Sequence, residues 1–226
     1  MGQKILLAED EMGIAEVVSD YLIRDQYQVV LASDGLEALQ KFDQTIDLVL
    51  LDINLPKLSG WEVCQEMRRV SKVPIIVLTA RQPSQDELRG FELGADDYIR
   101  KPFDPKVLIA RIARFLTRNQ DQRIIESGDI RLDTGSFSLY KGQEKLELTA
   151  IQIDILEVLI GNQGSVISRQ SLIDQAYRGD QFADIFDRTI DAHIKNIRKV
   201  LGDDSKHPRY IETIRGKGYR WVKPDD

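Results

Sequence analysis

Cysteine is almost missing from this 226-residue chain: the single Cys64 has no second thiol to pair with. That excludes an internal disulfide framework and any zinc site built on two or four thiolates. Histidine is nearly as scarce, and His193 and His207 alone argue against a zinc centre of the remaining kinds. Long apolar runs are missing too. Ile5-Leu6-Leu7-Ala8 stops at Glu9, nothing approaches the roughly 18 apolar residues of a membrane span, and the start has no secretory pattern. These absences point to a cytoplasmic protein that keeps off membranes. What is present, 42 % hydrophobic and 30 % charged residues, excludes global disorder and a collagen-like repeat.

The formal charge of −6 hides a gradient, because Arg188 to Lys223 holds ten cations against four anions, a net of +6 that leaves −12 elsewhere. Such asymmetry is expected where one end meets a polyanion and the other has a different task. Between residues 4 and 118, short aliphatic runs at Lys4–Ala8, Asp47–Leu51 and Val73–Leu78, with weaker ones at Gln28–Ala32 and Asp97–Ile99, alternate with amphipathic segments. The pattern predicts an α/β fold, a flavodoxin-like doubly wound sheet of five parallel strands. Ile14, Val17, Val18, Tyr21 and Leu22 form one helical stripe facing that sheet; Leu108, Ile112, Phe115 and Leu116 form another. Periodicity fails after Arg118, so the expected division is a first domain at 1–118, a linker at 119–126 and a second domain at 127–226. The second part reads as α+β: turn-punctuated strands, helices capped at Thr149, Ser168 and Asp187, and a hairpin around Arg215-Gly216-Lys217-Gly218.

In a doubly wound sheet, the residues closing each strand converge on one crevice. Here they are Glu9-Asp10, Asp52, Thr79 and, after the fifth strand, Lys101-Pro102. Three gathered carboxylates repel one another and suit a small hard cation held by oxygens, most naturally Mg²⁺. A hydroxyl and an ammonium on the opposite rim complete the parts for phosphoryl transfer, with the central Asp52 as nucleophile. Any one of these acids alone would read as a solvated loop residue; their joint placement at the strand ends is what carries the chemistry.

Residues 3 to 118 resemble the receiver domain of bacterial two-component response regulators. The resemblance rests on Glu9-Asp10, Asp52-Ile53-Asn54-Leu55-Pro56 with Gly60, Thr79-Ala80, and Gly94-Ala95-Asp96-Asp97-Tyr98 running into Lys101-Pro102-Phe103. It implies that Glu9, Asp10 and Asp52 hold Mg²⁺ with the Asn54 backbone carbonyl. It also implies that Asp52 accepts phosphate from a histidine kinase, that Thr79 and Lys101 grip the phosphoryl oxygens, and that Lys101-Pro102 is cis. Tyr98 is implied as a switch that turns inward when Thr79 moves; on residues alone it reads equally as a strand aromatic. The last receiver helix presents Val107, Arg111, Arg114 and Arg118 on a second face, which by itself reads as a solvated charged surface. By resemblance this face forms a homodimer on phosphorylation through Asp96 with Arg118 and Asp97 with Arg111. A third family pair falls near Glu87 and Val107, where this sequence departs from the pattern.

In the basic end, a helix with Ile190, Ile194, Ile197 and Leu201 on its core side turns Arg188, Thr189, Ala192, Asn196 and Lys199 outward, with Lys195 at the flank. Such a face suits a major groove, with Asn196 a natural partner for adenine and the cations neutralising phosphate. Thr213-Ile214-Arg215-Gly216-Lys217-Gly218-Tyr219 places two cations on a tight turn suited to a minor groove. Residues 127 to 226 resemble the winged helix-turn-helix domain of the OmpR/PhoB subfamily. The match runs through Leu148-Thr149, Asp187-Arg188-Thr189-Ile190-Asp191-Ala192-His193-Ile194, Arg198-Lys199-Val200-Leu201-Gly202 and Ile214-Arg215-Gly216-Lys217-Gly218-Tyr219. It implies contacts to double-stranded DNA from Arg188, Thr189, Ala192, His193, Lys195, Asn196, Lys199, Thr213, Arg215 and Lys217, and an RNA polymerase contact from the loop at 177–185. His193 reads equally as a packed core residue. The reading is a phosphorylation-switched transcription regulator, not an enzyme. Its rivals are a phosphohydrolase with an aspartyl-phosphate nucleophile and a DNA-binding appendage, and a regulator that binds DNA without phosphate.

Overall fold

A computed structural model describes residues 2–79, 94–116, 123–177 and 187–222. The chain divides into two compact units, Met1–Arg118 and Asn119–Asp226. Among the described residues no helix is long and apolar enough to cross a membrane.

The first unit runs β1 (Lys4–Ala8), α1 (Met12–Arg24), β2 (Gln28–Ala32), α2 (Gly35–Lys41), β3 (Leu48–Asp52), α3 (Gly60–Val70), β4 (Ile75–Thr79), β5 (Asp97–Arg100) and α4 (Pro105–Leu116). Its strands make one parallel sheet in the order β2-β1-β3-β4-β5. Helices cover both faces, so β3 and β4 are buried along their whole length and read as unbroken aliphatic runs. The order reverses between β1 and β3, which opens the crevice at the carboxyl ends of those strands. Helix α3 starts sharply there. The Ser59 hydroxyl accepts from the Glu62 amide, and the Glu62 carboxylate accepts from Ser59, a reciprocal cap that fixes where the loop after Asp52 ends.

Helix α1 departs from its predicted stripe. Val17 is 51 % exposed, whereas Val18, Ser19 and Leu22 are buried. The covered face is turned towards Ser19 and away from Val17, with Ile14 and Tyr21 half-buried.

The second unit begins with an antiparallel meander of β6 (Ile124–Ser127), β7 (Ile130–Asp133), β8 (Ser138–Lys141) and β9 (Glu144–Leu146). Strand β6 occupies positions that the sequence reading gives to the linker. Helices α5 (Ala150–Gly161), α6 (Arg169–Ala176) and α7 (Asp187–Leu201) follow, with β10 (Val166–Ile167), β11 (Ile211–Ile214) and β12 (Gly218–Trp221) forming a three-stranded sheet. Thr149 and Ser168 stand at the N-caps of α5 and α6 as predicted, and the described part of α7 begins at Asp187. The fully buried Trp221 donates its indole N–H to Ser127 Oγ at 2.9 Å, tying the last strand to the first.

Candidate functional site

The crevice of the first unit is built from strand ends. Glu9 follows β1, Asp52 closes β3, Thr79 closes β4, and Lys101 follows β5, its amide bonded to the Thr79 carbonyl at 2.7 Å. Carboxylate oxygens of Glu9, Asp10 and Asp52 lie within 4.8 Å of one another, with Glu9 and Asp52 buried and Asp10 exposed. Lys101 Nζ bridges the two buried acids, 2.5 Å from Asp52 Oδ2 and 2.8 Å from Glu9 Oε1. Burial pushes the Glu9 carboxyl up to about 7; the Lys101 hydrogen bond opposes this, and the neighbouring Asp52 charge adds to it. Burial works against the Lys101 ammonium, yet its hydrogen bonds to Asp52 and Glu9 hold its pKa above the ordinary lysine value. Asn54 donates its amide N–H to Asp52 Oδ1 at 2.9 Å, so the nucleophile carries one backbone bond and one ammonium bond. The other member of the set, Thr79, is buried on the adjacent strand. Tyr98 is half-buried, its ring 5.9 Å from that of Trp61, and the Lys101-Pro102 bond is cis.

An all-oxygen donor set with one exposed and two buried carboxylates fits a small hard cation. Burial and the neighbouring Asp52 charge both raise the Glu9 carboxyl, so positive charge placed among these acids would stabilise them.

The surface acids need correction. Asp96 is fully buried, with Oδ2 accepting from Arg68 at 2.5 Å and from the Ile75 amide at 3.0 Å. Asp97 and Arg111 are also buried and pair within one chain, the Arg111 nitrogen lying 2.9 Å from Asp97 Oδ1 and 2.9 Å from the Tyr98 carbonyl. These groups therefore brace β5 against α3 and α4: Asp97 does pair with Arg111, but within one chain rather than across a dimer, and the partner of Asp96 is Arg68. Arg118 and Glu87 lie outside the described residues; Val107 is half-buried.

In the second unit, α7 buries Ile190, Ile194, Ile197 and Leu201 as predicted, but only part of the predicted outward face is exposed. Lys195 and Lys199 are exposed and Asn196 is partly so, but Thr189, Ala192 and His193 are buried. On the same helix Asp191 and Arg198 are the residues that bond the β11–β12 hairpin. The Arg188 side chain and the loop at 178–185 lie outside the described residues. Thr213, Arg215 and Lys217 are exposed on the hairpin, whose turn is allowed by Gly216 at φ 71° and Gly218 at φ 143°. A cationic helix stripe beside a cationic hairpin tip is what a duplex reader requires.

Comparison with known proteins agrees along the chain. A model of the response regulator receiver domain matches residues 5–113, and one of the transcriptional regulatory protein C-terminal domain matches residues 142–221. The probable transcriptional regulator ycf27 of Porphyridium aerugineum is 38 % identical over 234 residues, covering 99 % of this chain and 98 % of that protein. Sensory transduction protein RegX3 of Mycobacterium tuberculosis is 36 % identical over 223 residues, covering 96 % and 97 %. Among solved structures, a RitR variant aligns with a TM-score of 0.72 at 29 % identity over 99 % of this chain and 100 % of its own. The Thermotoga maritima OmpR/PhoB homologue DrrB aligns with a TM-score of 0.53 at 33 % identity over 98 % and 100 %. The chain belongs to the OmpR/PhoB family of response regulators. Such regulators are two-component transcription factors whose partners are DNA and a histidine kinase, and they are not enzymes.

Three arginines of this regulator were not assigned from sequence. Arg68 donates to the carbonyls of Gly94 at 2.6 Å and Val73 at 2.5 Å as well as to Asp96. Arg198 donates to the Ile211 carbonyl at 2.6 Å and to Thr213 Oγ1 at 2.8 Å, joining α7 to the hairpin. Arg169 bonds Asp191 Oδ1 at 2.7 Å. Only Arg198 left a trace in the sequence: it falls beside the apolar seam of α7, where a cation needs a partner.

Proposed function

We propose that this regulator is switched by phosphorylation of Asp52 by a histidine kinase in the cytoplasm, and that the modified chain dimerises and binds tandem operator half-sites. The observation that carries the reading is the bridged acid cluster, in which Lys101 Nζ holds Asp52 and Glu9 together beside Asp10. Glu9, Asp10 and Asp52, with the Asn54 carbonyl, would hold Mg²⁺, which when bound offsets charge on the incoming phosphoryl group. Asp52 Oδ attacks phosphorus in line, the bond to the donor histidine nitrogen breaks, and the phosphoryl group stays on Asp52 as an acyl phosphate. Lys101 moves its hydrogen bonds from the carboxylates to the phosphoryl oxygens, and Thr79 supplies a hydroxyl from the neighbouring strand. The modified group brings more negative charge and three acceptor oxygens than the carboxylate it replaces. Thr79 moves towards it, and Tyr98, already packed by Trp61, turns into the space left behind.

The response is read out on the face of β5 and α4, where receivers pair as a homodimer. The internal Asp97–Arg111 and Asp96–Arg68 pairs would keep it in shape. Lys195, Asn196 and Lys199 enter the major groove with Arg188, while Thr213, Arg215 and Lys217 meet the adjacent backbone or minor groove. Half-sites would lie about 10 to 11 base pairs apart, and the loop at 177–185 is offered to RNA polymerase. The test is incorporation from acetyl phosphate with Mg²⁺, followed on a phosphate-affinity gel. About one phosphoryl group per chain is expected, none in Asp52→Ala, with dimer appearing in sedimentation only for the modified chain. Dimer formation by phosphodonor-treated Asp52→Ala would refute the switch.

A further inference from the structure

Asp191 stands on α7 at i, i+4 and i+8 with Lys195 and Lys199, so an anion shares the stripe that faces DNA in the function proposed above. Its side chain is 43 % exposed, and a carboxylate on a surface that meets phosphates opposes binding. One of its oxygens is held from two directions. Oδ1 accepts the Tyr219 hydroxyl of β12 at 2.6 Å and Arg169 Nε of α6 at 2.7 Å. The Arg169 guanidinium also lies 5.0 Å from the Tyr219 ring centroid, and Arg198 of α7 approaches that ring from 5.9 Å. Burial and the bond to Asp191 push the Tyr219 phenol up to about 12, so it remains a donor at any working pH.

We propose that Asp191 is a positioning residue for DNA recognition: through Oδ1 it fixes the angle between the reading helix, helix α6 and the β11–β12 hairpin. Arg198 bonds the first hairpin strand at Ile211 and Thr213 and stands over the Tyr219 ring, whereas the Tyr219 hydroxyl on the second strand, which follows the Arg215 and Lys217 turn, donates to Asp191. Without the carboxylate, the helix cations would still find phosphate, but the hairpin cations would no longer be held over the same duplex.

The inference rests on the reading of α7 and the hairpin as the DNA surface, and the test separates the two. The full chain, treated with phosphodonor, is titrated onto a duplex that the wild-type chain has enriched from a random pool, over a range of salt concentrations. Asp191→Ala is expected to bind about tenfold more weakly at fixed salt although it removes a negative charge. Its slope of log affinity against log salt is expected to fall by about two, one for each hairpin cation. Asp191→Asn, whose amide oxygen still accepts both bonds, should recover most of the affinity. Tyr219→Phe, which alters no charge at working pH, should repeat the loss and keeps the test open if Asp191→Ala folds poorly. Binding by Asp191→Ala as tight as wild type or tighter overturns the proposal, as does a loss confined to one base pair, which marks direct reading of a cytosine amino group. Lys217→Ala is the control, expected to lower the slope by about one. If it acts while Asp191→Ala is silent, positioning alone fails; if both are silent, the DNA surface itself has been misplaced and the proposal goes with it.

Discussion

At Gly60 a β-carbon would lie 2.0 Å from the Asp52 carbonyl oxygen and 2.8 Å from the Ile53 Cα, so only glycine lets the start of α3 pack under the nucleophile's own backbone. Gly60→Ala must push that backbone away. A loss of about 3 kcal/mol in urea unfolding of the first unit is expected, together with failure to take up phosphate. A variant that stays fully stable and accepts phosphate would show that the close approach is dispensable. Cys64 makes a contrasting case on the same helix. It is fully buried, and burial pushes its thiol up to about 11, so little thiolate exists near neutral pH. Ellman's reagent at pH 8 should leave the folded chain unlabelled and titrate one thiol after unfolding; rapid labelling of the native chain would contradict the packing.

At the level of helices and strands, the legible and the illegible divide by physical cause. Runs such as Leu48–Asp52 and Ile75–Thr79 betray themselves because strands buried on both faces need continuous aliphatic sequence. Their terminal residues were legible for the same reason: a crevice at the carboxyl edge needs only the strand ends to be known. Helix phase was legible on the apolar side, since Leu108, Ile112, Phe115 and Leu116 of the last receiver helix and Ile190, Ile194, Ile197 and Leu201 of α7 are all buried, but the width of the covered face was not. Periodicity reveals apolar positions only, whereas Thr189 and His193 on α7 and Ser19 on α1 are buried although polar. Nor could sequence reveal that Asp96 faces Arg68, 28 residues away, since one ion pair leaves no periodic trace. The burial of His193 beside the exposed Lys195 makes its own prediction. Lys195→Ala should lower the salt slope of DNA binding by about one. His193→Ala should leave that slope unaltered and lower the stability of the second unit by about 1 to 3 kcal/mol, as seen in chemical denaturation. The opposite pattern would restore His193 to the surface.

For the molecule as a whole, the two units should respond differently to alkali, because two tyrosines of the second unit are bonded to carboxylates. Burial first, and then the bond to Asp129, pushes the Tyr210 phenol up to about 12, and Tyr219 is held at about 12 by burial and Asp191. An unfolded tyrosine loses its proton near pH 10. Between about pH 10 and pH 12, then, the folded unit keeps protons that the unfolded chain has released. The unfolded state binds fewer protons in that window, so unfolding free energy falls as pH rises through it, while below pH 10 these two groups contribute no slope. Lysines also titrate in this range, so the measurement must isolate the phenols. Trp221 reports on the second unit once Trp61→Phe has silenced the first, and denaturation midpoints followed by its fluorescence should drop steeply above about pH 10. In a background carrying Tyr210→Phe and Tyr219→Phe, stability should be lower at neutral pH, because the phenols' hydrogen bonds to Asp129 and Asp191, and the one Tyr219 accepts from Arg169, are lost, yet its fall between about pH 10 and pH 12 should be shallower. If the double variant instead declines as steeply as its parent, the phenols are ordinary in the folded chain, and the bonds from Asp129 and Asp191 do not hold the hairpin side of the second unit together.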